Sequence, residues 1–150
     1  MKKHTYLFFA LAMVIITGCS KDDNSETSIV SRVFQLSAVS NSNISGTATF
    51  IKKEKGLTEI VLQISNSSTD IHPAKIYLNN ATQGGDAAIT LAAIECDCEA
   101  STTMVSKLDN GTAISYEELV NFNGHLKIHQ NANHMEVVIA QGNIGSNVKL

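Results

Sequence analysis

The stretch SGTATFIKKEKGLTEIVLQIS (45–65) decides the architecture. Ala48 and Phe50 fall on one face of the first half. Ile60, Leu62 and Ile64 fall on one face of the second, and KKEKG separates the two. Apolar residues recurring every second position describe a strand with one face buried, because successive side chains point to opposite sides of a pleated backbone. The same period runs outward in both directions. RVFQLSAV (32–39) places Phe34, Leu36 and Ala38 together; AKIYL, AAITL, TTMVSKL, HLKIHQ and MEVVIAQGN continue the pattern. Clusters of Gly, Asn, Ser and Asp such as SNSNISG, SNSSTD, NNATQGGD and LDNGT stand between the runs and supply turn chemistry. About eight short strands at this spacing predict an all-β fold, an antiparallel β-sandwich or Greek-key barrel. One short helix is expected near 115–122: Ser115 and Glu118 have capping-box spacing, and Leu119 and Phe122 can pack inward.

The N-terminus carries a different signal. Lys2 and Lys3 precede an apolar run, Leu7 to Ile16, of signal-peptide length and well short of the roughly 20 residues a bilayer span needs. ITGC (16–19) follows and resembles a bacterial lipobox. The expected organisation is a lipoprotein signal peptide (1–18), a lipidated Cys19 with a flexible tether (19–28), and a β domain (29–147). Diacylglycerol on the Cys19 thiol and a palmitate-type acyl chain on its amino group would give stable membrane anchoring, at about 0.8 kcal/mol per buried CH₂. The tether CSKDDNSETS has too little apolar surface to fold. Its Ser20 resembles an outer-membrane sorting position. Lys21 to Asp23 resemble the export signal of cell-surface lipoproteins in Bacteroidota-type bacteria. The expected location is therefore the outer membrane, lipid-anchored and surface-exposed.

Loss of Lys2 and Lys3 with the signal leaves nine basic residues against fourteen acidic ones, with no basic cluster. That balance excludes nucleic acid as a partner, since phosphate binding depends on Lys and Arg. It also leaves the lipid as the membrane contact.

Two constellations invite chemistry. His72, His125 and His129 are the first. Period two puts His125, Lys127 and His129 on one face, with the two histidines about 13 Å apart, too far to share one ion on a regular strand. His72 with His129, joined by Tyr77, is the candidate metal set for Zn²⁺ or Cu²⁺, though structural zinc asks for four ligands and catalytic zinc for three. The second is ECDCE (95–99). With Cys19 assigned to lipid, Cys96 and Cys98 form an even pair in an oxidising compartment, a candidate disulfide. In an extended strand their Cα atoms would lie about 6.6 Å apart, near the limit for a bond, and a turn would bring them closer. The flanking carboxylates disfavour a reactive thiolate. No G-x-S-x-G elbow, phosphate loop or H-E-x-x-H motif occurs in the sequence.

Residues 45–65, HPAKIYLNNATQGGDAAITL (72–91), SKLDNGTAISYEELVNFNGHLKIHQ (106–130) and VVIAQGNIGSN (138–147) occur in the order and spacing of a CHRD domain. The chain resembles that module, first described in chordin and widespread in bacterial lipoproteins, over about residues 30–147. The resemblance implies an extracellular all-β domain without established catalytic activity; the expected partner is an unknown surface protein or glycan. The family commonly has His–Ile–His after the Pro–Ala pair, a motif similar to the metal-binding strand of copper/zinc superoxide dismutase. Here those positions are Lys75, Ile76 and Tyr77. His129 matches the family's late histidine. The resemblance thus implies a partly eroded site and a binding or structural module without a resident cofactor. Metal binding through the remaining histidines is the alternative.

Overall fold

A computed structural model describes residues 28–39, 41–67, 70–95 and 98–148. The signal segment, Cys19 and all but the last residue of the tether lie outside the described residues, as does Cys96. The expected strands are present: β1 (Ser31–Ala38), β2 (Ser45–Lys52), β3 (Thr58–Ser65), β4 (His72–Leu78), β5 (Ala87–Ile94), β6 (Ala100–Val105), β7 (Gly124–His129) and β8 (Val138–Ile144). They form one antiparallel sheet in the order β5-β4-β7-β8-β1-β2-β3-β6, curled into a nearly closed barrel. Of the two architectures the pattern allowed, the chain adopts the barrel.

The alternation does what period two predicts except at Ala38, which is exposed at the end of β1. Phe34, Leu36, Ala48, Phe50, Ile60, Leu62 and Ile64 are all buried, with Phe34 and Phe50 packed edge-to-face at 5.0 Å between centroids. Turn chemistry is equally local. Asn43, Asn66 and Asn79 take positive φ, as does Gly84 in the NNATQGGD turn. Two strands differ from expectation. β6 stops at Val105 rather than running to Leu108, because Lys107 leaves the ladder to bridge Ala113. β8 begins at Val138, since residues before it turn through His134–Val137.

The helix expected near 115–122 is α1 (Tyr116–Val120). Its capping box is complete: Glu118 N–H donates to Ser115 Oγ at 3.3 Å, and Ser115 N–H donates to Glu118 Oε2 at 2.8 Å. Leu119 and Tyr116 are buried, Phe122 packs against the core, and an ion pair from Lys52 to Glu117 ties the helix to β2. Among the described residues no helix is long and apolar enough to cross a membrane.

The barrel's last seam, β5 against β6, has no backbone ladder. One backbone bond, from Asp109 N–H to the Ala88 carbonyl at 2.9 Å, and several side chains close it instead. Ala92 N–H donates to Thr103 Oγ1 at 2.8 Å, and Ser101 Oγ donates to Ala92 C=O at 3.0 Å. Asp109 accepts from both the N–H and the hydroxyl of Thr90, at 2.9 and 2.8 Å. Hydroxyl and carboxylate groups thereby occupy backbone positions that an open edge would offer to another chain.

Candidate functional site

β4 and β7 are paired antiparallel, with Ala74 opposite Ile128, Ile76 opposite Leu126, Lys75 opposite Lys127 and Tyr77 opposite His125. This register sorts the candidate residues between the two faces of the sheet. His72, Ala74 and Ile76 alternate on the core side of β4, with Leu126 and Ile128 beside them on β7. Lys75, Tyr77, His125, Lys127 and His129 lie on the other side.

The metal set of His72, His129 and Tyr77 is therefore divided by the sheet itself. His72 is only 1 % exposed, and both of its ring nitrogens are engaged. Nδ1 lies 2.6 Å from the Gln130 carbonyl and Nε2 lies 3.1 Å from Ser67 Oγ. It joins the entrance of β4 to the exit of β7 and to the loop after β3. These contacts make it a clasp.

On the outer face Tyr77 occupies the space between the two other histidines. Its ring stacks on His125 at 5.4 Å between centroids and meets His129 edge-on at 5.9 Å. Its hydroxyl is 2.8 Å from His129 Nε2. Lys127 Nζ sits 5.1 Å from the Tyr77 ring centroid, a cation–π contact. The gap of about 13 Å between residues four apart on a strand is thus filled by a tyrosine from the neighbouring strand. Loops cover the flanks: the Asn79 carbonyl accepts from His125 Nδ1 at 2.8 Å, and Ala81 N–H donates to Asn143 Oδ1 at 2.8 Å.

Burial holds both imidazoles below the usual histidine pKa. For His125 desolvation dominates, and the Lys127 charge adds to it while the Asn79 and Leu78 backbones oppose it. For His129 desolvation again comes first, and Lys127 and Lys75 reinforce it. The Met135 backbone, outside hydrogen-bonding geometry, opposes it in part. Burial likewise raises the Tyr77 phenol. Below the ordinary imidazole pKa of about 6.5 the unfolded chain binds protons that the folded chain refuses, so stability falls as pH drops through that window towards the lowered folded values. Each histidine can contribute a slope of at most about 1.4 kcal/mol per pH unit. Thermal melts should show Tm declining from pH 7 to 5, and His129→Gln should flatten that decline; an unchanged profile in the variant would remove His129 as a cause.

His125 Nε2 and His129 Nδ1 are buried without hydrogen-bond partners. The donor set nevertheless does not fit Zn²⁺ or Cu²⁺. The Tyr77 hydroxyl faces Nε2 of His129, whereas the unpartnered nitrogen is Nδ1 on the other side of the same ring. Among the described residues no three His, Cys, Asp or Glu side chains gather around one point.

Cys98 N–H bonds the Glu95 carbonyl at 3.2 Å, Glu99 takes a positive φ, and Cys98 is exposed. The pairing of Cys98 with Cys96 falls outside the described residues. Sequence reasoning passed over Tyr77 as the residue that joins His125 to His129; the β4–β7 register alone brings it there. No protein-family model, curated protein or solved structure matches the chain.

Proposed function

We propose that the chain is a lipid-anchored extracytoplasmic binding or structural module of CHRD type, displayed on the outer membrane and without catalytic chemistry of its own. The observation that carries this reading is how the histidines are used. His72 clasps β4 to β7, His125 holds the Asn79 loop, and His129 bonds Tyr77. The side chains best suited to proton transfer or ligation are spent on fixing loops to a rigid barrel. Residues 16–19 supply the anchor, and a barrel with a side-chain-sealed seam resists edge pairing at a crowded surface. The partner class is a surface protein or glycan, with no nucleic acid.

Lipidation is the testable part with the sharpest outcome. The chain expressed in a bacterium of the expected type should incorporate labelled palmitate, sediment with outer membranes and be cut by protease added to intact cells. Cys19→Ser should lose the label and leave the membrane fraction. Equal membrane association of the variant would sink the anchor.

The metal-binding alternative rests on the two unpartnered nitrogens of His125 and His129. It requires Tyr77 to yield its bond to His129 Nε2, or the loops over both rings to open.

A further inference from the structure

Arg32 shares the face of β1 that carries Phe34, two residues on, but lies at the strand's exposed end. It is the only arginine in a chain with ten lysines. Its strand partner is the fully buried Phe50, and its guanidinium sits 5.8 Å from the Phe34 ring centroid. The buried stripe of Phe34 and Phe50 thus ends at an exposed guanidinium, beside residues of α1 and of the Gly145–Asn147 turn. A cavity of about 520 Å³ opens there, lined by Arg32, Tyr116, Val120, Asn121, Ser146 and Val148 among others.

No carboxylate among the described residues pairs with Arg32. The helix beside it has two, and both are occupied: Glu117 by Lys52 and Glu118 by the Ser115 capping box. A guanidinium offers five donors in a planar fork that matches a carboxylate bidentately, which an ammonium cannot do. The cavity volume lies within the range of small-molecule sites. Its walls pair hydroxyl and carboxamide groups (Ser146, Asn121) with apolar surface (Val120, Val148), the mixture that a ring carrying hydroxyls on its edge and C–H groups on its face requires.

We propose that this cavity binds a small hydroxylated carboxylate, the chemistry of a sugar acid, with Arg32 gripping the carboxylate. The proposal rests on the binding-module reading and names a ligand class for it. It stands apart from lipidation, so a failure here leaves the Cys19 experiment untouched.

The test is ligand-observed NMR on the full chain in detergent, titrated separately with D-glucuronate, D-glucose and sulfate. Glucuronate should bind saturably, and glucose, lacking the carboxylate, about tenfold or more weaker. Arg32→Gln should weaken glucuronate about tenfold or more, and Arg32→Lys should recover only part, because it restores charge without the fork. Asn121→Ala, away from the charge, should weaken glucuronate while leaving the preference over glucose intact. Three results would overturn the proposal: no saturable glucuronate binding, binding unchanged in Arg32→Gln, or sulfate matching glucuronate, which would mean a plain anion site.

Discussion

Gly46→Ala should destabilise the domain by about 3 kcal/mol or more, lowering Tm by roughly 10 °C. Gly46 sits in β2 between two strands, opposite Leu36 of β1 and Ile64 of β3. A Cβ there would lie 1.9 Å from the Gln63 carbonyl oxygen and 2.9 Å from the Ile64 Cα. Both obstacles are backbone, so no side-chain rotation relieves the clash, and the three-strand ladder must open. Gly142 in β8 repeats the arrangement, with its Cβ 2.0 Å from the Gln35 carbonyl oxygen, and Gly142→Ala should behave alike. Gly111→Ala is the contrasting case. Its Cβ meets open space, and only the φ of +88° opposes the substitution, a cost of about 1–2 kcal/mol. Denaturant melts of the three variants measure these differences. A Gly46→Ala protein as stable as the parent would mean that β1, β2 and β3 do not approach as described.

His72→Ala should cost about 2–4 kcal/mol through packing and hydrogen bonding alone. The substitution empties a fully buried volume and removes a partner from the Gln130 carbonyl and from Ser67 Oγ. An unmet buried polar group loses its desolvation cost without return, which makes truncation dearer than the hydrogen bonds themselves. His72→Gln keeps a polar side chain of similar reach and should recover part of the loss. His134→Ala, on an exposed side chain paired only with Glu136, should change stability by about 0.5 kcal/mol or less. A His72→Ala protein indistinguishable from His134→Ala in urea would show that the clasp bears no load.

The strands were legible because their signal is local. Phe34, Leu36, Phe50, Ile60, Leu62 and Ile64 need only period two to declare a buried face, and Ser115 with Glu118 needs only one turn of helix. Closure of the barrel was not legible. It depends on Thr103 reaching Ala92 and Asp109 reaching Thr90, pairings of exposed polar residues that leave no periodic trace. The site shows both situations. His72 and Tyr77 are five positions apart on one strand, an odd number, so alternation already placed them on opposite faces. That parity was readable, and the candidate metal set of His72, His129 and Tyr77 overlooked it. The meeting of Tyr77 with His125 and His129 was not readable, since it follows from β4 pairing with β7 across a long separation in sequence. Arg32 went unread: two places before Phe34 it ends the apolar face, where the strand is already exposed.

On the proposed function the histidines serve the barrel rather than a metal. The direct test is metal content by mass spectrometry of the full chain, exposed to Zn²⁺ and then to Cu²⁺ and freed of excess ion, with Tm recorded alongside. Substoichiometric metal and an unchanged Tm are expected, with Tyr77 still bonded to His129. One ion per chain, a raised Tm, and loss of both in His125→Gln or His129→Gln would contradict that reading and make the outer face of β4 and β7 a metal site.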